Sequence, residues 1–153
     1  MKLWSRLLIG LAAIVALLVV LVITGPRHTN PPVVAEPAWD SLATRELAQR
    51  ACFDCHSNET IWPISSRLPV ARNLIESHVE NGRAKLNFSE WGVPGRKQES
   101  GEEAAEKVYE PMHYAEDDPL PQPPYTWVHP TARLTDAERD QLAQGLRLSL
   151  GSD

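Results

Sequence analysis

Between Leu7 and Ile23 the chain reads LLIGLAAIVALLVVLVI, a run without a charged or polar side chain. As a helix rising about 1.5 Å per residue it covers roughly 25 Å, and Leu3 and Trp4 extend it toward the roughly 30 Å of a bilayer's hydrocarbon core. Lys2 and Arg6 precede it, which by the positive-inside rule places the N-terminus in the cytoplasm and everything after the run across the membrane. A cleaved signal peptide shares this pattern, but the run exceeds a usual signal core and no A-x-A site follows it. VITGPRHTN offers only Thr24 and Gly25 as small residues before Pro26. The expectation is a single-pass anchor over residues 1–24 in a bacterial inner membrane, with the remainder periplasmic.

The next segment, GPRHTNPPVVAEPA at residues 25–38, carries four prolines and reads as an extended spacer. Residues 39–153 then make one domain of common size. It is small for a chain so rich in proline and charge, so a bound group that enlarges the core would help it fold. The formal net charge of −5 argues against nucleic acid as a partner, for which a basic face is expected.

Periodicity in this domain is helical. DSLATRELAQRACFDC places Leu47, Ala51 and Cys55 at i, i+4 and i+8, with Asp40 or Ser41 available as N-cap. LPVARNLIESHVENG opens near Pro69 and is expected to close at Gly82, with Val70, Leu74 and His78 on one face. A third helix runs through EEAAEKVYE. The fourth begins at Thr135, whose spacing to Glu138 is that of a capping box, and carries Leu142, Leu146 and Leu150 as a stripe. Between the last two lies the proline-rich PMHYAEDDPLPQPPYTWVHP. The fold class is therefore mostly α, with long Pro-rich loops.

Both cysteines fall in RACFDCHSNETIWP, two residues apart and directly before a histidine. A redox dithiol normally follows a strand at a helix N-terminus, where the dipole lowers the thiol pKa, and no βαβ pattern surrounds these two. A structural zinc needs four ligands, whereas His28, His78, His113 and His129 are scattered. A disulfide across so short a loop stabilises little. Covalent haem attachment needs what is written: two thiols one helical turn apart reach the two vinyl groups on one porphyrin edge, and the adjacent histidine takes the iron. Cys52 and Cys55 are thus the thioether anchors of one haem c, and His56 is the proximal iron ligand.

ACFDCHSNETIWP, HVENGRAKLNFSEWG and LPQPPYTWVHPTARLTDAER together resemble the small bacterial haem-binding domain family built around CxxCH. The resemblance runs from about Leu47 to Leu146, with the blocks in the family's order. It implies a cytochrome c-like monohaem domain, and it implies a cofactor rather than a reaction. Family members tend to read Met-Pro-Leu-Pro before the Tyr-Thr-Trp block, and that methionine is the natural sixth ligand. Here the words are DDPLPQPPYTW, so Asp118 aligns where the methionine would stand. Met112 becomes the match only with an insertion. Met112 is the candidate distal ligand, His78 the alternative, and His113, beside Met112, excludes it sterically.

The aromatics Trp62, Phe88, Trp91, Tyr125 and Trp127 are expected to fill a small core around the haem. Arg67, Arg72 and Arg83 are candidates for pairing with haem propionates, and His129 for a hydrogen bond within its loop. These expectations describe an electron carrier, not an enzyme, with periplasmic or membrane redox proteins as partners. A sensor or peroxidase-type haem with an open sixth position is the alternative, and the iron's coordination separates the two.

Overall fold

The computed structural model describes residues 3–109 and 125–151. Met112, His113 and Asp118, on which the sixth-ligand expectation turns, lie outside the described residues. Among those described the chain is helical, without strands, and falls into two compact units.

The first unit comprises residues 1–29 and 61–78. Its apolar run is one helix, α1 (Leu3–Thr24), none of whose residues is buried. Its length and composition would cross a membrane. The unit also holds a 3₁₀ turn, Ile64–Arg67, and the start of a helix that opens at Pro69. A Cβ on Gly25 would stand 2.5 Å from the Arg67 carbonyl oxygen. Arg67 Nη1 donates to the Val22 carbonyl at 3.3 Å, one of the acceptors that a helix C-terminus leaves unsatisfied. His28 stacks on Trp62 with ring centroids 4.2 Å apart, and its Nε2 lies 3.2 Å from the Ser66 carbonyl oxygen.

The second unit comprises residues 30–60 and 79–153. Ser41 caps α2 (Leu42–Ala51), its hydroxyl accepting from the Thr44 amide. Ser100 with Glu103 boxes the start of α5 (Gly101–Lys107). Thr135 with Glu138 does the same for α7 (Asp136–Leu150), as their spacing leads one to expect. The stripe Leu142, Leu146 and Leu150 is buried, with Leu47, Ala48, Ala105 and Val108 in the same core. Small residues let these helices close up. A Cβ on Gly145 would fall 2.1 Å from Thr44 Oγ1, and one on Gly101 2.7 Å from the Leu146 carbonyl oxygen. Arg50 ties α2 to the first turn of α7 and to the chain before it, donating to Glu138 at 2.7 Å and to the Thr131 carbonyl at 2.9 Å. Leu142→Ala removes a side chain from the centre of this packing, where it is 1% exposed. The expected loss is about 2–5 kcal/mol of unfolding free energy, read from urea denaturation.

Two helical details differ from the periodicity. The helix opening at Pro69, α4 (Pro69–Lys85), passes through Gly82 and ends a turn later. Gly82 is buried inside it rather than standing past its end. The apolar stripe Val70, Leu74 and His78 is exposed. Nor are the prolines of residues 25–38 a free spacer along their whole length. The amides of Val34 and Ala35 donate to the Ser89 carbonyl at 2.8 and 3.1 Å, and Trp91 N–H donates to the Ala35 carbonyl at 3.0 Å.

Candidate haem site

The chain from Arg50 to Pro63 is shaped by one break. α2 ends at Ala51, and Cys52, with φ −123° and ψ −33°, both closes it and opens the single-turn α3 (Phe53–His56). The amides of Cys55 and His56 both donate to the Cys52 carbonyl, at 3.1 and 2.8 Å. Residues 52, 55 and 56 therefore stand at i, i+3 and i+4 of one turn, the spacing that brings side chains onto one face. The motif is a turn of its own after α2, rather than the continuation of that helix.

The two residues between the cysteines point opposite ways. Phe53 goes inward, 2% exposed, into an aromatic cluster with Phe88 at 5.4 Å and Trp39 at 6.2 Å. Asp54 turns to the other side, where Tyr125 Oη donates to its Oδ2 at 2.8 Å. His129 stacks on Tyr125 at 4.3 Å and brings Nδ1 to 3.8 Å from the same carboxylate. Tyr125, which belongs to the short helix α6 (Tyr125–Val128), is held well above its ordinary pKa, first by burial and then by the Asp54 charge.

Both thiols are free. Burial pushes Cys52 up to about 12 and Cys55 up to about 11, the Asp54 carboxylate adding to the latter. A redox dithiol requires the opposite shift. Among the described residues no group of three or more His, Cys, Asp or Glu side chains could hold a metal ion, so no zinc cluster forms there.

His56 is gripped twice by the segment that follows α4. Its Nδ1 lies 3.1 Å from the Leu86 carbonyl oxygen, an acceptor only, so Nδ1 is the protonated nitrogen. Its own carbonyl accepts from the Phe88 amide at 2.8 Å. Burial lowers the imidazole's pKa, opposed by the Leu86 hydrogen bond, the Glu99 charge and a backbone hydrogen bond to Gly82, and so favours the neutral ring. Nε2 is left with its lone pair, the tautomer that an iron-ligating histidine with a carbonyl partner adopts.

Around this grip lies a polar frame that composition and periodicity did not reveal. Asn87 Nδ2 donates to Asn58 Oδ1 at 3.0 Å, and Asn87 Oδ1 accepts from the Ser89 amide at 3.0 Å. The Asn58 amide donates to Ser89 Oγ at 2.9 Å. Arg83 Nε donates to the Ser57 carbonyl at 2.7 Å, and its Nη2 to Thr60 Oγ1 at 2.9 Å. That guanidinium therefore fastens the loop after the motif. α4 comes close enough only because residue 82 is glycine: a Cβ there would lie 2.5 Å from the Cys55 carbonyl oxygen and 3.1 Å from its Cβ. The polar residues at 58, 87 and 89 sit in the blocks SNET and LNFSEW, which marked the resemblance without saying what they do.

Other expected residues stand elsewhere. Arg67 and Arg72 donate to backbone carbonyls within the first unit. Of the aromatics, Phe88 is fully buried and Trp91 packs against the core, whereas Trp127 is 70% exposed. Trp39 and Phe53, the partners of Phe88, were not among those singled out. His78 is exposed on α4.

Two free thiols on one turn, beside a neutral histidine presenting one ring nitrogen, suit a haem-binding protein on a helical frame. The chain belongs to the haem-binding domain family, whose model matches residues 15–147. No curated protein and no solved structure matches it.

Proposed function

We propose that this haem-binding protein is a membrane-anchored, periplasmic monohaem c-type cytochrome that passes single electrons between redox proteins. The observation carrying this reading is the Nδ1 hydrogen bond of His56 to Leu86, which leaves Nε2 to serve as proximal ligand. A bound haem supplies a one-electron iron couple. Cys52 and Cys55 would hold it by thioethers, each S–H adding across a vinyl double bond so that sulfur takes one carbon and the proton the other. Leu86 would fix the imidazole and Phe88 the His56 backbone, with the Asn58–Asn87–Ser89 frame holding the two segments together and the Phe53–Phe88–Trp39 cluster packing behind the turn. Electron transfer asks no acid or base of this chain. α1 anchors it in the inner membrane with the N-terminus cytoplasmic. Met112 would be the iron's second protein ligand, with His78 the alternative.

The test is the optical spectrum of the full chain in detergent, matured with the c-type haem assembly machinery, oxidised, reduced and reduced under carbon monoxide. A low-spin spectrum unmoved by carbon monoxide, with a far-red sulfur-to-iron band lost in Met112→Ala and kept in His78→Ala, is expected. A high-spin iron that takes up carbon monoxide overturns electron transfer in favour of a sensor or peroxidase-type haem.

A further inference from the structure

The first unit contains more apolar surface than its anchor helix explains. Ile61 and Ile64 stand 76% and 67% exposed, and Val70 and Leu74, one helical turn apart on α4, are exposed as well. A water-facing segment of this length rarely shows so many large aliphatic side chains without a use for them.

Position supplies the use. α1 spends about 33 Å of rise on its residues, enough to consume a hydrocarbon core, so its last turn ends where the headgroups begin. The 3₁₀ turn Ile64–Arg67 is packed against that end. Gly25 abuts the Arg67 backbone, and Arg67 Nη1 reaches the Val22 carbonyl. Whatever depth Val22 and Gly25 occupy, Ile64 occupies one within a few residues' width of it. Trp62, stacked on His28, is the side-chain type that collects at this level of a bilayer. The charge agrees: Arg27 is exposed, and Arg67 and Arg72 lie in or beside the turn. The Glu76 carboxylate faces His28 at 3.3 Å. A cationic rim around aliphatic side chains suits a layer of anionic phosphates over acyl chains.

We propose that Ile61–Leu74 lies in the periplasmic headgroup layer of the membrane that α1 spans, as a second and interfacial contact with lipid. The proposal rests on reading α1 as a membrane anchor. Its occupant is the bilayer, with the aliphatic side chains dipping toward the acyl chains and the arginines at phosphate level.

The experiment reconstitutes the full chain in vesicles of phosphatidylcholine and phosphatidylglycerol doped with a phosphatidylcholine bearing a photoactivatable diazirine in its acyl chain. Irradiation followed by peptide mass spectrometry maps the lipid adducts. Adducts are expected on α1 and on peptides containing Ile61–Leu74. The latter should fall by at least about three-fold in an Ile64→Glu, Val70→Glu variant whose α1 labelling is unchanged. Adducts on α1 with none on Ile61–Leu74 of the unaltered chain overturn the proposal and leave the anchor standing. Adducts on neither overturn both.

Discussion

Replacing Cys52 and Cys55 together by serine is expected to remove all haem that survives denaturation. Haem stain on a denaturing gel should fall to background, and acid-acetone should extract whatever pigment the purified protein retains. A hydroxyl on the same turn keeps the backbone bonds from the Cys55 and His56 amides to the Cys52 carbonyl, but an alcohol does not add to a vinyl group as a thiol does. The fold should survive in outline, because neither sulfur bridges to another residue and the aromatic cluster of Phe53, Phe88 and Trp39 does not involve them. Helical content by circular dichroism checks that point. Stain retained by the double variant would mean that attachment does not run through these thiols, and the c-type reading would fall with it.

The second large effect comes from Gly82. Its substitution by valine places a branched carbon where even a Cβ meets the Cys55 carbonyl oxygen at 2.5 Å and the Cys55 carbonyl carbon at 3.0 Å. These are backbone atoms of the CxxCH turn, so no rotamer relieves the contact. α4 must move away, or the turn must. Overpacking of this kind costs about 1–3 kcal/mol, occasionally more. Here the displacement also pulls on Leu86, whose amide bonds back to the Gly82 carbonyl at 2.9 Å and whose carbonyl holds His56. The expected result is a lower denaturation midpoint together with reduced haem loading. Gly10→Ala, at a glycine with nothing within 4 Å, should leave both unchanged. Full loading and an unshifted midpoint in Gly82→Val would show that α4 does not need this approach.

How far the site was readable follows from what kind of signal each residue leaves. Cys52, Cys55 and His56 stand out because they are rare residue types in a fixed local order, the order that covalent haem attachment asks for. The leucine stripe and Thr135–Glu138 box of α7 were legible for a similar reason, since helical periodicity and capping are local rules. Gly82 was visible as a glycine and misread as a helix end, because the reason for it lies on Cys55, far away in sequence. Leu86 could not be found at all from residue types: it contributes a backbone carbonyl, which every residue has. Asn58, Asn87 and Ser89 are ordinary polar letters until the fold makes them face one another. Val70, Leu74 and His78 share a helical face as their spacing requires, yet periodicity alone says nothing about what that face meets.

The double grip on His56 also sets an order of events. Leu86 lies thirty positions beyond His56, so joining them closes a loop whose ends cost roughly 3 kcal/mol of chain entropy to bring together, before any constant term. Until that loop shuts, the CxxCH turn is a short stretch of exposed chain. In the folded chain both cysteines are half-buried. Were the haem attached through these thiols, as proposed, its loading would compete in time with the closing of segment 86–91, and a variant that closes faster would be a poorer substrate for its own maturation. On that reading the segment would act as a latch, and a latch is useful only if it falls last.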